Sequence, residues 1–132
     1  MTLELTLLAW TLVLATVQVL LPALWRNRET GTGYNAGPRD EPGPPVGLVT
    51  GRLRRAQANL FETLPLFAAG LLIAHVGGRE GTLTLWGAWL YLVARIVYVP
   101  LYALGVPYLR SLVWSVSLGG LLLILFAVLR PI

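Results

Sequence analysis

Four long apolar segments run along the chain, at about residues 3–25, 53–76, 83–104 and 108–129. Each is long enough for a helix that crosses a bilayer, which needs roughly 20 residues. Because the second and third connections are short, neighbouring spans must run antiparallel. The pattern predicts an all-α, integral membrane, up-down four-helix bundle, with residues 1–132 forming a single transmembrane domain.

One long polar segment, from about residue 26 to 51, separates the first two spans. It contains six glycines and four prolines. Because these residues interrupt helices and strands, we expect no regular structure there. The segment is either a simple connection or a lid over a site at the membrane surface. Pro22, near the end of the first span, indicates a kink or an early end to that helix.

Composition supports the membrane assignment. Charged residues make up 12% of the chain and the mean hydropathy is +0.71, whereas about a quarter of a typical soluble domain is charged. The net charge of +4 rests on arginine, since the chain has no lysine. With no basic face on a soluble module, we expect no nucleic-acid partner. The arginines are concentrated between Arg26 and Arg55, so the positive-inside rule places that segment and the third connection in the cytoplasm and both termini outside.

Several kinds of chemistry are excluded by residue type. The chain has no cysteine, so it forms no disulfide and no thiolate metal site. Its only histidine is His75, so one chain cannot build a site from several histidines, and we expect no metal. His75 lies near the outer end of the second span, where an interfacial or packing role is the simplest interpretation.

A polar stripe marks the start of the second span. Arg55, Asn59 and Glu62 follow one another at helical spacing, and with Arg52 they fall within an arc of about 80°. A charged side chain at the centre of a bilayer costs roughly 2.5–3.5 kcal/mol even on the more lenient scale. The stripe therefore needs a partner, a wet cavity or a ligand. A buried ion pair of Glu62 with Arg55 or Arg95 would meet this need without any ligand.

The third and fourth spans carry matching polar groups. On the third, Arg95, Tyr98 and Tyr102 share one face, and the fourth begins near Arg110. We expect these groups and the stripe to line a pocket that opens at the cytoplasmic interface. Guanidinium groups bind carboxylates through two parallel hydrogen bonds, and Glu62 could receive an ammonium group. A small anionic peptide with a free amine fits such a pocket, and a lipid head group is the alternative.

The second span also resembles a known family. Its sequence Arg52-x-x-Arg55-Ala56-Gln57-x-Asn59-x-x-Glu62-x-x-Pro65-Leu66-Phe67 is similar to the signature of the MAPEG family, the membrane-associated proteins of eicosanoid and glutathione metabolism. Ala94-Arg95-x-x-Tyr98-x-x-x-Tyr102 resembles the family's next motif, and Arg110-Ser111 resembles the pair that opens its last helix. The length, the four spans and the long first loop agree as well.

This resemblance implies a homotrimer of four-helix subunits, with glutathione held between neighbouring subunits at the cytosolic side. It implies that Arg110 is catalytic and stabilises the glutathione thiolate, as a cation beside a thiol does by lowering its pKa. The residues implied to bind glutathione are Arg52, Arg55, Asn59, Glu62, Tyr98, Tyr102 and Ser111.

On these grounds we expect a membrane-bound transferase that uses glutathione as co-substrate against a lipophilic small molecule or lipid, with peroxidase activity as a further option. The alternative is a non-enzymatic membrane protein that uses the same pocket for a lipid head group or for oligomer assembly. The compact form suggests a bacterial member in the inner (cytoplasmic) membrane, with its site facing the cytoplasm.

Overall fold

The computed structural model describes residues 1–131, and within that range the regular structure is helical throughout. The five helices are α1 (Leu3–Thr30), α2 (Thr32–Ala36), α3 (Leu48–Val76), α4 (Thr82–Ala103) and α5 (Pro107–Leu129). All but the short α2 are long and apolar enough to cross a membrane. The prediction of an all-α membrane bundle with four spans is therefore confirmed.

The four long helices alternate in direction, so the bundle has two ends. One end, which we call the loop end, holds the connection between α1 and α3 and the turn between α4 and α5. There Arg52, at the start of α3, donates from Nη1 to the carbonyl oxygen of Ala103 at the end of α4, at 3.3 Å. At the opposite end, which we call the turn end, the hydroxyl of Thr2 donates to the Glu80 carboxylate at 2.7 Å. Arg79 reaches the carbonyl oxygen of Arg130 there, at 2.8 Å. These contacts join the start of α3 to the end of α4, and both chain ends of the bundle to the turn between α3 and α4.

Two glycines let the backbones of α4 and α5 approach closely. A Cβ atom added to Gly87 would lie 2.6 Å from the carbonyl oxygen of Gly120, and the reverse substitution gives the same distance. Small residues at such crossings let two backbones touch, which is a common source of packing energy between helices in lipid. The pair therefore sets the distance between α4 and α5.

Aromatic and aliphatic side chains fill the interior near mid-bundle. Phe67 of α3 stacks on Tyr91 of α4, with ring centroids 4.0 Å apart and planes inclined by 12°. Leu60 and Ile124 are fully buried beside them. The Tyr91 hydroxyl, which would be costly to bury without a partner, shares a 2.8 Å hydrogen bond with Thr63.

The expectation of an unstructured segment from 26 to 51 is wrong at both of its ends. Helix α1 continues through Pro22 to Thr30, the five-residue α2 follows, and α3 begins at Leu48. The early end suggested by Pro22 is therefore wrong as well. Glycine and proline positions alone indicated interruptions, whereas the structure supplies partners that stabilise these helix ends.

Those partners form a network around Arg26 and Glu29. Arg26 is paired with Glu29 at 2.8 Å and donates to the carbonyl oxygens of Pro44 and Pro45. The Glu29 carboxylate accepts from the Gly47 backbone at 3.1 Å and from the Thr50 hydroxyl at 2.7 Å. Glu29 thus bonds the residue before α3 and a threonine in its first turn, so the end of α1 holds the start of α3.

His75 takes part in the polar contacts of the turn end. Its Nδ1 lies 3.0 Å from the Glu80 carboxylate, which also accepts from Thr2. Burial acts to raise the pKa of Glu80, but the hydrogen bonds from Thr2 and His75 outweigh it, and the pKa lies below its usual value. The histidine thus sits in a structural network at this end of the bundle.

Candidate functional site

Three arginines and a tyrosine surround a cavity at the loop end, where α3, α4 and α5 meet. The cavity has a volume of about 210 Å³ and is lined by Arg52, Arg55, Tyr102, Gly105, Pro107 and Arg110. Arg52 and Arg55 come from the first two turns of α3, Tyr102 from the last turn of α4, and Arg110 from the first turn of α5. The tight connection between α4 and α5 brings these turns together.

Gly105 shapes the wall of this cavity. Its φ angle of 74° belongs to the left-handed region that favours glycine. A Cβ atom there would lie 2.7 Å from Cζ of Arg52. The glycine therefore both makes the turn and leaves room for the Arg52 guanidinium, which is held in turn by the carbonyl oxygen of Ala103.

Tyr102 contacts two of the arginines that line the cavity. The Arg110 guanidinium carbon lies 4.5 Å from the ring centroid, and that of Arg55 lies 5.8 Å away. Arg55 also donates from Nε to the Tyr102 hydroxyl at 3.3 Å. An aromatic face attracts guanidinium groups electrostatically, so one ring holds two arginines that would otherwise repel each other.

A second layer lies deeper in the bundle and is connected through Arg95. Its Nη1 donates to Oδ1 of Asn59 at 2.9 Å, and its guanidinium carbon lies 4.4 Å from the Tyr98 ring centroid. Tyr98 in turn packs edge-on against Tyr102, with ring centroids 5.5 Å apart. The deeper residues thus touch the cavity through an unbroken series of contacts.

Two predicted site residues, Glu62 and Ser111, do not line the cavity. Glu62 is exposed on α3 and is not among the residues that line the cavity. Ser111 is exposed, and its hydroxyl donates back to the carbonyl oxygen of Pro107 at 3.4 Å. Within residues 1–131 no ion pair joins Glu62 to Arg55 or Arg95. The hypothesis of a buried ion pair without a ligand is therefore wrong for the single chain.

Sequence reasoning missed two features of the site. It did not predict the hydrogen bond from Arg95 to Asn59. Arg95 shares a helix face with Tyr98, and this spacing could have placed Arg95 toward the site. Sequence reasoning also missed Gly105 and Pro107, whose importance comes from the geometry of the turn. Among the described residues, no group of three His, Cys, Asp or Glu side chains is placed to hold a metal ion.

The chemistry of the cavity is that of an anion site. Its three guanidinium groups carry donors only, and no carboxylate lines it. Guanidinium groups in this arrangement can bind carboxylates or a developing thiolate. The site therefore belongs to a four-helix membrane protein that presents a cationic, phenol-lined cavity at one end of its bundle.

A family comparison agrees with this architecture. The family model described as "MAPEG family" matches residues 7–130, and the chain belongs to that family. The family consists of membrane proteins of the glutathione-related transferase and isomerase type, and its members generally use glutathione. No curated protein and no solved structure matches the chain.

Proposed function

We propose that the protein is a membrane glutathione transferase that activates the glutathione thiolate for attack on a lipophilic electrophile. The observation that carries the proposal is the cavity formed by Arg52, Arg55, Tyr102 and Arg110 in a chain of the MAPEG family. Glutathione carries two carboxylates, and the cavity offers guanidinium groups to receive them. Substrate contacts at Asn59, Glu62, Tyr98 and Ser111 are part of the same proposal.

Arg110 is the residue proposed to stabilise the thiolate. It is held against the Tyr102 ring rather than paired with a carboxylate, so its charge is available to a ligand. A cation beside a thiol favours loss of the thiol proton to solvent. The sulfur lone pair then forms a bond to the electrophilic carbon, and the leaving group departs with the electron pair of the broken bond.

We propose that subunits assemble, because the single chain leaves Glu62 uncovered, and that they form the homotrimer that the family resemblance implies. Glu62 is exposed on α3, which is a candidate membrane span. An uncompensated charge facing hydrocarbon costs roughly 2.5–3.5 kcal/mol or more. A neighbouring subunit or its bound ligand would remove that cost. Native mass spectrometry from detergent gives the subunit number directly, and a stable monomer would contradict the assembly.

We further propose that the protein lies in a bacterial inner membrane, as its compact form suggests, and that the loop end faces the cytoplasm, as the arginine distribution indicates. The absence of cysteine makes this simple to test. A single cysteine placed at Pro42, in the connection, should be labelled by a membrane-impermeant maleimide only after the membrane is opened. One placed at Gly78, at the turn end, should be labelled in intact cells.

Isothermal titration with glutathione in detergent tests the binding step. We expect saturable heat for the wild type and a loss of affinity of about tenfold or more for Arg55→Ala, since a lost charge-assisted contact is worth roughly 1.5–3 kcal/mol. Arg130→Ala, at the turn end, is the matched control and should bind as the wild type does. No heat for the wild type, or equal binding by Arg55→Ala, would contradict the proposal.

A further inference from the structure

We propose that the loop end carries a second cationic site, which binds the phosphate headgroup of an anionic phospholipid. The site is defined by Arg26, Arg39 and Arg54, three arginines that we call the α1–α3 triad. None of the three lines the cavity that contains Arg110. The proposal goes beyond the proposed function and does not depend on glutathione binding.

Two adjoining cavities, of about 220 and 400 Å³, are both lined by the triad and by Asn35. They lie between α1, α2, the connection that follows α2, and α3. Arg54 is about 100° around α3 from Arg55, so the triad and the candidate active site use different faces of that helix. The loop end therefore has two separate cationic sites.

Two members of the triad carry charges that the chain does not compensate. Arg26 is paired with Glu29 at 2.8 Å and also donates to the carbonyl oxygen of Pro44. Within the described part of the chain, Arg39 and Arg54 have no carboxylate at ion-pair distance. No carboxylate lines either cavity. An anion is the complementary ligand, because guanidinium groups carry hydrogen-bond donors and no acceptor.

Arg39 is held in place by contacts that leave part of its guanidinium free. Its Nε and Nη2 both donate to the carbonyl oxygen of Asn35, at 2.8 and 2.7 Å, and these bonds do not use Nη1. The Asn35 amide is bonded in turn to Thr30 and Asn27 of α1. The φ angle of Arg39 is 56°, a left-handed conformation that is uncommon for a residue with a side chain. Strained backbone of this kind is often found at ligand sites.

The apolar wall of the smaller cavity indicates that the anion belongs to a lipid. Val19, Pro22 and Ala23 form this wall, and all three lie on α1, a candidate membrane span. Val19 is about 10 Å along the helix axis from Arg26, and both Val19 and Ala23 are exposed, so acyl chains would cover them. A phospholipid has the same polarity, with a phosphate beyond its acyl chains. Basic pockets between spans are known to bind anionic headgroups.

Trp25 indicates the depth of the site in the membrane. The guanidinium carbon of Arg28 lies 4.7 Å from its ring centroid. Tryptophan is enriched at the boundary between hydrocarbon and water, so α1 passes from one to the other beside Arg26. The triad therefore lies at the level of the lipid phosphates.

The test is a lipid titration of the full-length protein in detergent, read by native mass spectrometry. The probes are dioleoyl phosphatidylglycerol, which is anionic, and dioleoyl phosphatidylcholine, which has the same acyl chains and no net charge. We expect one tightly held phosphatidylglycerol per chain, bound about tenfold or more tightly than phosphatidylcholine, because two basic contacts distinguish them. Equal binding of the two lipids would overturn the proposal.

Substitutions locate the bound lipid. Arg39→Gln/Arg54→Gln should lower the affinity for phosphatidylglycerol by about tenfold or more. The matched control, Arg79→Gln/Arg130→Gln, removes the same charge at the turn end and should bind within about threefold of the wild type. An equal loss in the control would show that net charge alone attracts the lipid, and the site would be wrong.

A melting curve for each variant shows whether the fold is kept. If the double variant unfolds early, Arg54→Gln alone decides the question, because that side chain is exposed on α3. We expect it to lose affinity by about threefold or more, and wild-type affinity would contradict the site.

Inorganic phosphate separates a lipid site from a site for a soluble anion. Added at the same concentration as phosphatidylglycerol, it should leave the lipid bound, because it cannot cover the apolar wall of Val19 and Ala23. Displacement of the lipid by that amount of phosphate would show that the triad binds a soluble anion, and would overturn the proposal of a lipid.

Discussion

The guanidinium carbon of Arg110 lies 4.5 Å from the centre of the Tyr102 ring, across the tight turn that joins α4 to α5. The contact orders an arginine that has no carboxylate partner in residues 1–131. It also links the arginine to Arg55, which donates to the hydroxyl of the same tyrosine. The hydroxyl of Tyr102 thus accepts from Arg55 alone, whereas its ring contacts both arginines.

Substitutions at Tyr102 should separate these two roles. Tyr102→Phe removes only the acceptor for Arg55 and should weaken glutathione binding by a few-fold, since the ring that contacts both arginines is kept. Tyr102→Leu also removes the ring from both arginines and should weaken binding by about tenfold or more. Titration calorimetry measures both. A larger loss for Tyr102→Phe than for Tyr102→Leu would show that the ring does not order the arginines.

The glycine contact between α4 and α5 predicts a steric cost. Gly87→Ala places a methyl group 2.6 Å from the carbonyl oxygen of Gly120, so the helices must separate. Overpacking of this kind typically costs about 1–3 kcal/mol, which should appear as a lower midpoint of thermal unfolding in detergent. Gly119→Ala is the control, because nothing lies within 4 Å of the added atom. An equal effect of the two substitutions would contradict the close approach.

The Glu29 network predicts how the first connection is held. Glu29→Gln should weaken its bonds to Gly47 and Thr50 and loosen the start of α3. We expect faster cleavage between residues 37 and 47 under limited proteolysis, read by intact mass. Glu41→Gln changes an exposed carboxylate in the same connection and should cleave at the wild-type rate. If both variants are cut alike, Glu29 does not anchor the segment.

The four spans could be predicted from the sequence because a segment that crosses a bilayer must be a long helix with apolar side chains, and hydropathy detects such segments directly. The arginines and Tyr102 were also predictable as neighbours, since helical spacing and short connections bring them to one end. The helical structure at both ends of the first connection, where α1 ends and α3 begins, could not be predicted. It depends on contacts such as Arg26 with the Pro44 carbonyl oxygen, which join residues far apart in the sequence.

The position of Glu62 shows a different limit. Spacing places it on the polar face of α3, and the resemblance implies a ligand contact, but in the single chain it is exposed and outside the cavity. Its surroundings depend on the subunit or ligand that packs against α3, and the pattern of residues within one chain does not predict that contact. Asn59 is different, because it has a partner within the chain: it accepts a hydrogen bond from Arg95, a contact that could be identified only in three dimensions.

The central claim is that Arg110 activates a thiol that the chain itself lacks. The most direct measurement is the thiolate absorbance of glutathione bound to the detergent-solubilised protein, followed as the pH is raised. We predict that bound glutathione ionises at a lower pH than free glutathione, as thiols beside cations do, and that Arg110→Gln removes most of that shift while Arg110→Lys retains it. Ionisation of bound glutathione at the same pH as free glutathione, or an unchanged curve for Arg110→Gln, would contradict the account.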